Sequence, residues 1–270
     1  MSDIDKNFTG SIPKLYETWL VPLIFEPYAA DLKARIGSMK PSRILEMAAG
    51  TGVATRALAT LDYRPLSIVA TDLNQAMLDE AASRGAAHPV RWQQANAMDL
   101  PFRDGEFDAV VCQFGAMFFP DKPKAFAEAR RVLAPGGVFV FSVWDRIEDN
   151  EFADVVTAAL APMFQNDPPR FLARTPHGYF DHAEIEHDVA AGGFSGAPQI
   201  VTVTARSRAE SARVPAIAYC HGTPLRSEIE ARGASRLDEA TDVAAAALGA
   251  KFGPRDVDGK IQALVVTIAD

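Results

Sequence analysis

The sequence predicts an α/β fold: a mostly parallel sheet with helices on both faces, extended by a helical cap. Three observations point there. Strand-like and helix-like segments alternate from Ser42 to Trp144, the order expected of parallel strands joined by helical crossovers. The first strand runs into a small-residue turn in LEMAAGTG (45 to 52), and an acid, Asp72, ends the second strand 20 positions after Gly52. Far downstream, Gln199 to Ala205 and Lys260 to Ile268 alternate as strands do.

In order, Ser42 to Met47 reads as the first strand, Val53 to Thr60 as a helix, Leu66 to Thr71 as the second strand and Gln75 to Arg84 as the next helix. Val90 to Gln94 and Phe107 to Gln113 follow as strands, Lys124 to Leu133 as a helix and Val138 to Trp144 as the fifth strand. Ala134-Pro135-Gly136-Gly137 supplies a stop and turn before that strand. Upstream, Pro13 to Ile36 is helical and aromatic but broken by Pro22 and Pro27, which suggests a cap rather than a core layer. Downstream, helices are expected over Asn150 to Phe164, His182 to Ala191, Pro215 to Ala231 and Leu237 to Lys251. These segments divide the chain into a lid (1–40), a core (41–145), two cap insertions (146–198 and 206–258) and two final core strands (199–205 and 259–270).

Composition narrows the functional classes. With 270 residues, 48% of them hydrophobic, the chain can bury a large core. A formal charge of -8 argues against nucleic acid as a partner, because that affinity comes mainly from Lys and Arg. Two distant cysteines, Cys112 and Cys220, make neither a metal pair nor a disulfide framework. MSDIDKNFTG has no basic flank leading into an apolar core, and no apolar run approaches the ~20 residues of a membrane span. A cytoplasmic protein is expected, and its oligomeric state stays open.

The glycine turn points to a nucleotide-like ligand at the first crossover. Small residues let backbone approach the ligand, and an acid ending the second strand can accept hydrogen bonds from a ribose diol. A dinucleotide site wants G-x-G-x-x-G. Here the positions are Ala48, Gly50 and Gly52, with Thr55 where the third glycine should stand. Glu46 at the mouth of the turn would repel a pyrophosphate but suits a ligand with an ammonium and a sulfonium, S-adenosyl-L-methionine. An NAD(P)-dependent oxidoreductase on a similar sheet is the alternative, and a binding protein that keeps the cofactor site without chemistry is another.

LEMAAGTG, VATDLN (69 to 74), ANAMDLPF (95 to 102), EFDAVVCQFGAMFF (106 to 119) and RRVLAPGGVFVFSVW (130 to 144) together resemble the class I S-adenosylmethionine-dependent methyltransferases. The likeness is to the small-molecule branch related to ubiquinone and menaquinone biosynthesis. It covers residues 40 to 145 firmly and implies a Rossmann-like, seven-stranded sheet with the last strand antiparallel. By that resemblance Gly50 and Gly52 pass close to the methionine part of the cofactor, and Glu46 meets its ammonium. Leu73 and Met77 pack on the adenosine, Asn96 stands where Asp is usual and accepts from the adenine amino group, and the Ala97 amide faces the ring. Ala48 departs from the usual glycine. Gln113, at the end of the fourth strand, faces the crevice. The Asn/Asp-Pro-Pro-aromatic segment of enzymes that methylate amino groups of DNA and protein glutamine is missing there, and no acids cluster for magnesium, so neither nucleic acid nor a metal is expected.

The implied substrate is a small, partly apolar metabolite. Methyl transfer needs an aligned nucleophile and, where the nucleophile carries a proton, a base. His177 and His221 are the base candidates, with Tyr179 as a hydrogen-bond donor; His182 and His187, on a polar helical segment, read as solvated. Tyr16 and Trp19 stand in the Pro-broken segment before the first strand, where they could form a lid over the cofactor.

Overall fold

Alternation along each strand sends successive side chains to opposite faces of one sheet. In β1 (Arg43–Glu46), β2 (Ser67–Asp72) and β4 (Phe107–Gln113), Leu45, Val69 and Val110 enter one apolar cluster. Their neighbours Ile44, Ile68, Ala109 and Val111 enter a second cluster on the other face. The computed structural model describes residues 10–233 and 235–269; the first nine residues, with most of the segment read as lacking an export signal, and the last residue lie outside them.

With β3 (Val90–Gln94), β5 (Leu133–Trp144), β6 (Gln199–Ser211) and β7 (Arg255–Ala269), the seven strands take the order β3-β2-β1-β4-β5-β7-β6. All pair in parallel up to β5, and β7 is antiparallel to both β5 and β6. Order reverses between β1 and β4, which opens a crevice beyond their carboxyl ends.

Four expectations are corrected. The N-terminal segment is not broken at its prolines: α1 (Ile12–Leu15), a π-helical stretch (Tyr16–Phe25) and α2 (Glu26–Met39) run on without interruption. The wide turn tolerates Pro22 without its N–H, and Pro27 sits in the first turn of α2, where that N–H needs no partner. Nor is the segment only a cap, because Ala29, Leu32 and Ile36 of α2 pack in the second cluster with Ala54 and Leu58 of α3 (Val53–Leu58). Ala134 to Gly137 does not separate helix from strand. It lies within β5, where pairing shifts from Phe107↔Leu133 to Ala109↔Val138 and a bulge absorbs the extra residues. Finally, β6 and β7 extend past β5 as a two-stranded ribbon, with Arg206 and Arg208 both paired to Asp258 across it. Its polar sequence conceals its strand character.

The first cluster is covered by α5 (Lys122–Val132), α6 (Glu151–Leu160), α8 (His182–Ala191), α9 (Arg213–Gly222) and α11 (Leu237–Phe252). Short α7 (Phe171–Arg174) and α10 (Leu225–Arg232) complete the cap, and α4 (Gln75–Arg84) links β2 to β3. Among the described residues no helix is long and apolar enough to cross a membrane.

Candidate active site

A cavity opens where the carboxyl ends of four strands meet. Ala48 and Gly50 line it after β1, Asp72, Leu73 and Asn74 at and after β2, Asn96 and Ala97 after β3, and Phe114 and Gly115 after β4. Tyr16 and Met77, from the N-terminal helix and α4, close two sides.

Backbone conformation explains the small residues of the first turn. Ala48, Gly50 and Gly52 have φ of 53°, 56° and 82°, the left-handed region in which a side chain is strained. A Cβ at Gly52 would fall 2.8 Å from the Trp92 ring. The methyl group of Ala48 is tolerated because its opposite residue is Gly115, where a Cβ would lie 2.4 Å from that of Ala48. These two positions share one space.

Asp72 is 8% exposed and organises this rim. Its carboxylate accepts from the Gly50 N–H at 2.9 Å and the Asn74 N–H at 2.8 Å, tying the glycine turn to the end of β2. Burial pushes its carboxyl above the usual range, while the backbone donors of Asn74 and Gly50 pull it down. A carboxylate has more acceptor positions than these donors use, so it can receive further hydrogen bonds from the cavity. Beside it Leu73 is 49% exposed, a large apolar side chain left uncovered at the rim. Asn96 is exposed, and its Oδ1 accepts from the Met98 N–H at 3.0 Å.

Glu46 lies beneath the turn, 1% exposed, and is not among the lining residues. The Thr55 hydroxyl donates to its carboxylate, and the Thr71 hydroxyl donates to its backbone carbonyl at 2.9 Å. Thr55, which in the sequence only marked a missing glycine, thus satisfies a buried acid. Burial pushes Glu46 up to about 8, against the opposing pull of Thr55 and Arg56. That folded value is above the ordinary 4.5, so the stabilising contribution is complete below about 4.5 and is lost as pH rises through about 8. Thermal stability of the free protein should decline across this window. Glu46→Gln should flatten the decline, and an unchanged profile in a melting series would contradict a protonated, buried Glu46.

A second cavity adjoins the first, and Tyr16, Phe114 and Phe118 line both. Phe114, itself left-handed at φ 54°, stacks on Trp144 with ring centroids 3.9 Å apart. Phe25, Phe171 and Tyr219 add to the aromatic wall. Among the described residues no Asp, Glu, Lys or Arg lines it. His177, buried, does: its Nδ1 lies 2.8 Å from the Asp145 carbonyl oxygen. A carbonyl only accepts, so Nδ1 is assigned the hydrogen and Nε2 is the unprotonated nitrogen. Burial pushes this imidazole down to about 4, leaving it neutral.

Of the residues singled out from sequence, Tyr16, Ala48, Gly50, Asp72, Leu73, Met77, Asn96 and Ala97 meet at the first cavity and His177 at the second. Gly52 caps α3 behind the turn. The others are held elsewhere. Gln113 donates to the Phe25 carbonyl at 3.4 Å, tying β4 to the N-terminal helix, and Trp19 packs half-buried against the core. His221 bonds Thr241 of α11 at 2.9 Å, and the Tyr179 hydroxyl donates to Asp188 of α8 at 3.0 Å; neither lines either of these two cavities. His182 and His187 are exposed on α8. Sequence reading missed Asn74, whose place beside Asp72 in VATDLN was a usable signal, and Tyr219, which had none.

The chain is similar in sequence and fold to known methyltransferases. A methyltransferase-domain family model matches residues 45–141, from β1 into β5. The ubiquinone/menaquinone biosynthesis C-methyltransferase of Stutzerimonas stutzeri is 31% identical over 171 residues, 58% of this chain and 67% of that protein. The malonyl-[acyl-carrier protein] O-methyltransferase of Geobacter sulfurreducens is 33% identical over 157 residues, and the chain spans only 57% of its length. Among solved structures, the phosphoethanolamine N-methyltransferase 2 of Haemonchus contortus, in complex with phosphomonomethylethanolamine and S-adenosylhomocysteine, superposes with a TM-score of 0.53 at 18% identity, covering 90% of this chain and 52% of that one. That last likeness concerns the fold alone. The reading as an NAD(P)-dependent oxidoreductase finds no support among them. With the motifs of β1 to β4 converging on one cavity, and one relative matched over two thirds of its length, the chain belongs to the class I S-adenosylmethionine-dependent methyltransferases.

Proposed function

We propose that the protein methylates a small, partly apolar metabolite, with the cofactor in the first cavity and the acceptor in the second. The observation that carries this reading is the shared wall: Tyr16, Phe114 and Phe118 line both spaces, so ligands in the two would meet there. The first cavity fits an adenosyl cofactor on its own chemistry. Asp72 offers free acceptor positions for a ribose diol, and uncovered Leu73 with buried Met77 offers an apolar clamp for the adenine. Asn96 and Ala97 would address the base edge, and the left-handed turn at Gly50 keeps side chains away from the methionine part. Glu46, beneath the turn and protonated in the free protein, would favour the ammonium by ionising as the cofactor binds.

When bound, S-adenosylmethionine supplies an electrophilic methyl group on a sulfonium. The chain's own contribution is to orient the acceptor, exclude water behind aromatic walls and shape the approach. In this reading the N-terminal helix acts as the lid. The N-terminal helix, α7 with the loop after it, and α9 would frame the acceptor, and the sheet would carry the cofactor, a division that suits a cytoplasmic metabolic enzyme.

Incubating the protein with methyl-tritiated cofactor and a small-molecule extract tests the proposal. Label should pass into a low-molecular-weight, organic-extractable product; label confined to protein or nucleic acid would overturn it.

A further inference from the structure

The second cavity carries more information than its position. Among the described residues its lining holds no ionised side chain, so neither an ammonium nor a carboxylate on the acceptor would find a counter-charge there. Its walls are rings: Tyr16, Phe25, Phe114, Trp144, Phe171 and Tyr219. Among its polar groups, Asn150 is spent. Its Nδ2 donates to the Asp145, Arg146 and Gln262 carbonyls, and its Oδ1 accepts from the Gln262 N–H at 3.0 Å. Thr223 is spent as well, donating to the Tyr219 carbonyl at 2.8 Å and accepting from the Leu225 N–H at 3.1 Å.

Two further polar side chains line it beside the Tyr16 and Trp144 rings. His177 keeps the lone pair of Nε2, its ring pinned by the Asp145 carbonyl. Tyr219, 4% exposed, has a hydroxyl with no hydrogen-bond partner among the described residues. A buried hydroxyl without a partner and a buried imidazole with a bare nitrogen, in one aromatic cavity, ask for a ligand that is neutral, flat and carries a proton-bearing polar atom.

We propose that the methyl acceptor is an uncharged aromatic alcohol of the phenol class, and that His177 Nε2 takes its hydroxyl proton during transfer. The inference rests on the reading of the first cavity as the cofactor site. In the step, the phenol oxygen forms the new carbon–oxygen bond as the carbon–sulfur bond breaks and its electron pair stays on sulfur. The O–H proton passes to Nε2. One positive charge therefore moves from the sulfonium to the imidazolium, and no further reactant is needed. Tyr219 donates to the acceptor oxygen or to a second polar atom of the ring and holds it in plane.

The test uses the whole chain with alpha-naphthol and para-phenylphenol as probes. Calorimetry first measures S-adenosylhomocysteine binding, then phenol binding to that complex; methyl-tritium transfer gives turnover. His177→Asn retains a donor for the Asp145 carbonyl while removing the nitrogen that faces the acceptor. It should keep homocysteine-cofactor affinity and phenol affinity within about threefold and lose about 100-fold or more in kcat. His177→Phe should lose phenol binding too, and Tyr219→Phe should weaken phenol affinity. Turnover of a phenol by His177→Asn at the wild-type rate overturns the proton role. Failure of both phenols to bind or react with a protein that binds S-adenosylhomocysteine overturns the acceptor class. Failure to bind S-adenosylhomocysteine at all sinks the cofactor reading beneath it instead.

Discussion

Asp72→Ala is expected to weaken S-adenosylhomocysteine binding by about 1.5 to 3 kcal/mol, a tenfold to more than hundredfold loss, the range for a hydrogen-bonded charged group. The loss has two sources. One is the direct contact with a ribose diol that a strand-end acid in this position can make. The other is the turn itself, since the same carboxylate accepts the Gly50 N–H at 2.9 Å and the Asn74 N–H at 2.8 Å. Removing it leaves both amides to water and frees a left-handed turn to relax. Asn96→Ala should cost less, because Asn96 is exposed and its carbonyl oxygen is engaged only with the Met98 N–H. Titration calorimetry on the two variants checks the ranking; equal and negligible losses would remove both residues from the cofactor site.

Gly115→Ala is expected to destabilise the fold by about 1 to 3 kcal/mol, the usual cost of overpacking. The added methyl group would sit 2.4 Å from the Ala48 Cβ and 2.8 Å from the Cys112 sulfur. Ala48→Gly alone should be neutral or slightly stabilising, since it relieves a side chain at φ 53°. Combined, the two changes should recover part of the loss, with Cys112 keeping the rescue incomplete. Urea unfolding of the four proteins gives the coupling energy. Simple additivity would mean that the first turn and the end of β4 do not share this space.

The clash also shows what was legible in the sequence. Alternating elements, the glycine turn and Asp72 specify a parallel sheet and its crevice because each depends on a short stretch of chain, and β3 and β4 have the bounds read from sequence. Ala48 stood out as a departure from a glycine pattern, but the reason it is tolerated lies 67 positions away at Gly115. Long-range pairings of this kind leave no local trace. His177 was as good a candidate as His221 in sequence, and only packing separates them: one reaches the aromatic cavity, and the other ties α9 to α11. The N-terminal prolines misled because a π-helical turn accommodates what an α-helix would not. The ribbon of β6 and β7 was shortened because its alternating polar residues, both faces of it partly wet, hide a strand period.

A crystal structure of the protein with S-adenosylhomocysteine tests the central claim most directly. The account predicts the ribose on Asp72, the adenine between Leu73 and Met77, and the sulfur at the wall of Tyr16, Phe114 and Phe118, facing the cavity of His177. A sulfur directed away from that wall, or an adenosyl group seated in the second cavity, would contradict it.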